Sequence, residues 1–257
     1  MSDEILIEQE GHTLTVTFNR PQQRNAMTWE MYEGLANACE RANEDDGIRV
    51  MVLRGAGGKA FVAGTDIRQF SEFDGDRGVE YEHSISEILG KVAAVDVPVI
   101  AAIEGFCVGG GLGIATMADL RIASPGSKFG VPIAKTLGNC LSADTVAALI
   151  DLIGQPRTVD LLLTARMMDA EEASRSGFVS VVTDDVTGTV TQLAEQIGQQ
   201  APLTMWATKE TVRRLRAAAR PADVDDSDIV RKVYGSRDFS NAVAAFANKT
   251  KPEWTGS

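Results

Sequence analysis

Histidine occurs only twice in 257 residues, cysteine three times, and aromatic side chains make up just 6% of the chain. The two histidines, His12 and His83, lie far apart and form no H-E-x-x-H or other close ligand spacing, so a catalytic metal is not expected. Cys39, Cys107 and Cys140 include no C-x-x-C pair, which argues against a zinc ribbon and suits thiols in a reducing compartment. No run of about eighteen apolar residues is present, so no membrane-spanning segment is expected. The opening MSDEILIEQEG has neither the basic nor the apolar stretch of an export signal, and the expected location is the cytosol. Positive charge is scarce as well. With 25 Lys and Arg against 36 Asp and Glu the net charge is −11, which opposes non-specific attraction to nucleic acid or anionic lipid. Basic residues concentrate only in KETVRRLRAAAR, read as a solvated helix face, and in the terminal NKTKP.

What is present is apolar patterning. Hydrophobic residues are 44% of the chain, enough to bury a substantial core at this length. EILIEQ and TLTVTF alternate around Gly11 and His12 as a hairpin, with His12 in the turn. NRPQQRNAM is turn-rich, and Thr28 caps an expected helix whose Met31, Leu35, Ala38, Cys39 and Ala42 recur at helical spacing until Gly47. RVMVLRG and VPVIAAIEG are nearly continuous apolar runs, the mark of strands buried on both faces, and helical stretches separate them. The expected class is α/β: a β-rich core over residues 1–200, with VSVVT as its late strand, and a helical extension over 201–257. The extension, poor in aromatics, is expected to pack on another surface.

The triple glycine in EGFCVGGGLGIATMADLRIAS invites two phosphate readings. A P-loop needs Lys and Ser or Thr where Gly111 and Leu112 stand, and a dinucleotide fingerprint needs a glycine where Thr116 stands. A third reading fits better. Glycines at a helix start let bare N–H groups face outward, where the helix dipole favours negative charge, as on a thioester carbonyl becoming an enolate. The competing structural reading is tight helix–strand packing. A second exposed-backbone loop, at Ala63, Gly64 and Thr65 in GGKAFVAGTDIRQF, follows the strand RVMVLRG and favours convergence on one ligand atom.

Six segments in order, NRPQQRNAM, KAFVAGTDI, PVIAAIEGFCVGGGLGIATMADLRIAS, KFGVPIAKTLG, RMMDAEEASRSGFVSVV and FANKTKPEW, give the chain a resemblance to the crotonase family of enoyl-CoA hydratases and isomerases. The resemblance implies a spiral of ββα turns with a C-terminal helical oligomerisation segment, homotrimers or dimers of trimers, and an acyl-CoA thioester substrate. It implies no cofactor beyond the substrate's own coenzyme A moiety. It places two oxyanion donors on the backbone N–H groups of Thr65 and Gly110. Coenzyme A contacts fall at Arg24, Ala63, Asp66, Ile67, Arg68, Phe246 and Lys249, with Ala63 beside the adenine. Asp119 and Arg121 look structural.

The two glutamates of hydratases in this resemblance fall on Gly113 and Ile133, and neither residue transfers a proton. Hydration of crotonyl-CoA is therefore expected to be weak or absent. Decarboxylation, thioester hydrolysis or carbon–carbon cleavage needs the amide pair more than the glutamates, and a non-catalytic acyl-CoA-binding relative is the alternative. Candidates for the missing group are Cys140, whose thiol a helix N-terminus would acidify, against a small buried hydrophobe; Asn139, a carbonyl orienter or a turn residue; and His83, an acid–base group or a solvent-facing side chain. Glu87 is a similar candidate one turn on, whereas Asp144 reads as a helix-start carboxylate.

Overall fold

The computed structural model describes residues 3–219 and 224–257. Met1, Ser2 and Arg220, the last residue of the basic run, lie outside them. The hairpin is formed by β1 (Ile5–Glu10) and β2 (Thr13–Phe18), paired from Ile5 opposite Phe18 to Glu10 opposite Thr13. His12 sits in its turn, with Nδ1 2.8 Å from the Gly47 carbonyl. Helix α1 (Trp29–Glu44) starts where Thr28 accepts a hydrogen bond from the Met31 amide and buries Met31, Leu35, Ala38, Cys39 and Ala42, the stripe its spacing predicts.

From there the chain repeats one motif. A strand joins a first sheet, the next strand joins a second sheet, and a helix closes the turn. The first such turn is β3 (Val50–Gly55), β4 (Ala60–Ala63) and α2 (Gly75–Ala93); the second is β5 (Val99–Ile103), β6 (Phe106–Val108) and α3 (Gly110–Met117). The third brings β7 (Leu120–Ala123) and β8 (Lys128–Gly130), and two short strands follow, β9 (Met168–Asp169) and β10 (Val181–Val182). Turns stack through parallel pairing. One sheet runs β1-β2-β3-β5-β7-β10 and the other β4-β6-β8-β9, with only the outer pairs β1·β2 and β8·β9 antiparallel. The fold is a spiral of ββα turns. Both faces of β3 and β5 are covered, which is why RVMVLRG and VPVIAAIEG carry no polar alternation.

Past residue 200 the helix Pro202–Ala219 buries no side chain, but Ser227–Tyr234 and Arg237–Ala247 bury Val230, Tyr234, Phe239 and Val243 in the same cluster as Tyr81, Ile85 and Leu89 of α2. The final two helices thus complete the main core. No helix among the described residues is long and apolar enough to cross a membrane.

Arg121 is structural, as its position suggests. It is 4% exposed, donates to the carbonyls of Phe178, Ala115 and Ala118, and its guanidinium lies 5.1 Å from the Phe178 ring centre. Asp119 accepts from the Val99 amide at 2.7 Å and pairs with Lys209. Replacing Arg121 with methionine leaves the Phe178 and Ala118 carbonyls without their donor, while Ala115 keeps the Ala118 amide, so Arg121→Met is expected to lower the urea midpoint by an amount equivalent to about 3 kcal/mol with an unchanged slope.

Candidate active site

The register of the second sheet places the two loops side by side. Ala63 at the end of β4 pairs with Val108 at the end of β6, so Gly64–Thr65 and Gly109–Gly110 leave the sheet as neighbours. Thr65 then forms a parallel bridge with Met27 in which Met27 N donates to the Gly64 carbonyl and Asp66 N donates to the Met27 carbonyl, both at 2.9 Å. Alternate groups along an extended chain point opposite ways, so the Thr65 N–H faces away from Met27. Gly110 is the first residue of α3, where a helix amide has no intrahelical acceptor. Among the described residues neither amide has a hydrogen-bond acceptor. Gly109 adopts φ +57°, and a Cβ on Gly111 would stand 2.2 Å from the Val62 carbonyl oxygen, so glycine is required at both.

Thr65 and Gly110 border one cavity of about 240 Å³. Its other walls are largely apolar, from Ile67, Phe70, Ile85, Leu89, Val131 and Ile133. Gly113 is in the wall, and a Cβ there would be 3.2 Å from Leu89 Cδ1, so leucine fills the space where the resemblance would put a first glutamate. At the second, Ile133 presents an aliphatic side chain. Ala63, Asn139 and Phe246 also border the cavity. Asp66 caps the short 3₁₀ turn Ile67–Phe70 and braces the Thr65 loop: it pairs with Arg68 at 2.5 Å and with buried Arg20 at 3.2 Å. The Arg68 hydrogen bond above all holds its carboxyl down at about 2. Arg68 is itself exposed, Arg24 lies with its guanidinium 5.1 Å from the exposed Phe106 ring, and Lys249 follows the last helix in a left-handed conformation; none of the three lines the cavity.

The three candidates for the missing proton carrier are placed differently. His83 and Glu87 pair with each other at 3.3 Å on the solvent side of α2, three-quarters and two-thirds exposed, and neither borders the cavity. Cys140 is half-buried beside the core, and burial, reinforced by the negative charges of Glu82 and Asp226, pushes its thiol up to about 12, opposite to the acidified nucleophile its place before a helix suggested. Asn139 does reach the cavity, and its Nδ2 donates to Tyr234 OH at 3.1 Å. Asp144 stands in the first turn of the helix Ala143–Ile153, as expected.

A buried carboxyl that the sequence did not single out, Glu82, is a further acid–base candidate. It is 7% exposed and borders the same cavity from α2, between Tyr81 and Ile85. Tyr234 OH donates to its Oε1 at 2.5 Å and the Ser142 amide to its Oε2 at 3.2 Å. Burial nevertheless dominates and pushes the carboxyl up to about 7. It also borders a second cavity of about 400 Å³, whose lining includes His83, Ser86, Ser142 and Asp226. The signal was in the spacing: Gly78, Glu82, Ile85, Leu89 and Val92 form the buried stripe of α2, with one carboxylate in it.

The chain belongs to the enoyl-CoA hydratase/isomerase family, whose model matches residues 8–257. Enoyl-CoA hydratase EchA19 of Mycobacterium tuberculosis is 34% identical, with 97% of this chain and 95% of that protein covered. Among solved structures, an enoyl-CoA hydratase/carnithine racemase from Magnetospirillum magneticum superposes with a TM-score of 0.81 at 35% identity, covering 100% of this chain and 97% of the other. A methylmalonyl-CoA decarboxylase in complex with 2-nitronate-propionyl-CoA superposes with a TM-score of 0.88 at 26% identity, covering 99% of each chain.

Two outcomes follow from this geometry. A methyl group at position 110 would lie 2.5 Å from Tyr32 OH and must displace the wall that carries both amides. Gly110→Ala is therefore expected to lower turnover by about 10²-fold, read by steady-state kinetics on protein whose melting temperature shows it folded. Glu82 binds its proton more tightly when folded than the ordinary carboxylate, so the stability tied to that proton is full below the ordinary value of 4.5 and is lost as pH rises through about 7. Wild-type protein should lose on the order of 3 kcal/mol from this source between about pH 4 and about pH 8. Glu82→Gln should flatten that loss in melting curves across the same range.

Proposed function

We propose that this protein binds an acyl-CoA thioester, forms its enolate against the Thr65 and Gly110 amides, and uses Glu82 as its single proton carrier. The observation that carries the reading is the pairing of two unengaged amides with one near-neutral carboxyl on the same apolar cavity. Hydration adds water across a double bond and has to activate that water as well as protonate carbon. A single carboxyl among apolar walls suits a reaction that moves one proton.

Decarboxylation of a 2-carboxyacyl-CoA is such a reaction, and the likeness to a methylmalonyl-CoA decarboxylase supports it. The C2–C3 bond breaks, CO₂ leaves, and the bonding pair remains on C2, delocalised onto the thioester oxygen. Preorganised amides stabilise that oxyanion without reorganising, each contributing about 2.7–4 kcal/mol. Protonated Glu82 then gives its proton to C2, and solvent reprotonates the carboxylate through the polar side cavity. One proton is consumed and one CO₂ released. A 1,3-shift of an enoyl double bond also needs only one carrier, and a 3-enoyl-CoA is the comparison substrate.

The coenzyme A moiety is proposed to run past Ala63 toward Arg24 and Arg68, both at the exposed rim. The helix Pro202–Ala219 leaves Leu203, Trp206, Val212 and Leu215 exposed, and we propose that other copies of the chain cover it in a homo-oligomer.

The test is product analysis of purified protein with methylmalonyl-CoA, 3-enoyl-CoA and crotonyl-CoA. Release of CO₂ with a saturated thioester is expected, and kcat/KM should fall above about pH 7 as Glu82 loses its proton. Glu82→Gln should lower kcat by about 10²-fold or more. Crotonyl-CoA hydration at ordinary enzyme rates, about 1–10³ per second, would overturn the one-proton reading, and binding of acyl-CoA with no turnover of any of the three would leave a binding protein instead.

A further inference from the structure

Asn139 has one end of its side-chain amide engaged and the other bare. Its Nδ2 donates to Tyr234 OH at 3.1 Å, and among the described residues its buried Oδ1 has no hydrogen-bond partner. Tyr234 OH donates in turn to Glu82 Oε1 at 2.5 Å. The three side chains form one directed chain that ends on the carboxyl.

A proton count fixes its direction. A phenol has a single proton, and among the described residues the hydroxyl of Tyr234 meets only Glu82 and Asn139. A carboxylate only accepts, so beside ionised Glu82 the phenol proton lies on the Glu82 contact. The group that meets the phenol oxygen from the other side must then be a donor, and Asn139 turns Nδ2 toward it. Tyr234 is 1% exposed, and burial raises its phenol well above the ordinary value, so it stays a neutral donor. When Glu82 takes up a proton, Tyr234 still donates to Oε1 and the Ser142 amide to Oε2, so the new proton lies off both contacts. An acceptor at 139 would reverse the chain: Tyr234 would donate to residue 139, and Glu82 would give its proton to Tyr234, away from the cavity.

We propose that Asn139 is a positioning residue, which commits the single Tyr234 proton to Glu82 and so keeps the acid proton of Glu82 for the substrate. The role rests on the reading of Glu82 as the proton carrier; the direction of the chain does not. The other titratable groups round Glu82 are Tyr32, Tyr81 and Cys140, which burial raises and keeps uncharged, together with Asp226 and, in the lining of the second cavity, His83, Asp144 and Asp225. Among the described residues none of these hydrogen-bonds Tyr234.

The test follows the Glu82 carboxyl itself, by infrared titration of protein labelled with carbon-13 glutamate, each form subtracted from its own Glu82→Gln partner and no substrate present. Tyr234→Phe should raise the Glu82 midpoint by roughly 1 to 2 pH units, the weight of one hydrogen bond to a charged group. Asn139→Asp keeps the shape and the tyrosine but offers only acceptors. It should raise the midpoint at least as far, and the falling limb of kcat/KM should move with it. In the Tyr234→Phe background Asn139→Asp should add only the effect of its charge, so the two single shifts together should exceed the double-variant shift by roughly 1 to 2 units. Wild-type protein labelled at its three tyrosines checks the direction directly: Tyr234, isolated by subtracting Tyr234→Phe, should show the C–O stretch of a hydroxyl that both donates and accepts. Additive shifts, an Asn139→Asp midpoint equal to wild type, or the stretch of a hydroxyl that only donates would overturn the proposal. Wild-type protein that turns over no acyl-CoA would overturn the proton-carrier reading and the role with it, while the titrations still report the hydrogen-bond chain.

Discussion

Two peptide groups left unpaired at the end of neighbouring parallel strands are the constraint around which the site is organised. The Ala63–Val108 register sets the loops side by side, and the Met27 bridge consumes the groups on either side of the Thr65 amide while leaving that amide free. On the other strand, the turn at Gly109 delivers Gly110 as the first amide of a helix. A buried backbone donor without a partner is costly, and proteins retain few of them. Here both residues border the same cavity, where an acceptor brought by a ligand would meet the two at once. Because the donors are backbone, side-chain identity at 65 is free to serve another purpose, and Thr65 uses its hydroxyl to join Tyr32 to Tyr81.

Glu82 depends on the C-terminal helices. Its carboxyl is held by Tyr234 from the helix Ser227–Tyr234 and by the amide of Ser142, while Phe246 from the last helix closes part of the cavity. Those two hydrogen bonds favour the ionised form, and desolvation opposes them and prevails. The result is a group poised near neutrality rather than a permanently charged one. The extension that sequence composition suggested would pack on another surface therefore has two parts. Pro202–Ala219 remains open to a partner, and the two helices after it finish the site of their own chain.

Much of this was legible because local chemistry fixed it. Apolar runs marked the buried strands, Thr28 marked the start of α1, and the glycines at 109–111 marked backbone that must be approached closely. Proton carriers were less legible because their properties come from packing. His83 lies on the exposed face of α2, whereas Glu82, its neighbour in sequence, lies in the buried stripe. Cys140 shows the same limit from the other side: helix-start placement favours a thiolate, yet burial and two nearby carboxylates win. The meeting of Tyr32, Thr65 and Tyr81 spans distant chain segments with no spacing rule to reveal it.

The absence of carboxylates at 113 and 133 and the presence of Glu82 are physically linked. A carboxylate at 113 or at 133 would put a second negative charge on a small, mostly apolar cavity, and like charges in such a medium cannot all ionise. Glu82 would be driven to higher pKa, or the cavity would admit water and lose the environment that makes its carboxyl useful. Leu89 against Gly113 and the side chain of Ile133 instead keep the walls dry. Apolar walls would strengthen the two amides as donors to the proposed oxyanion, since electrostatic interactions gain where water is excluded. On the proposed reaction, Leu89 beside Gly113 and the side chain of Ile133 would thus serve the same chemistry as the amides and the single acid, by setting the medium in which both act.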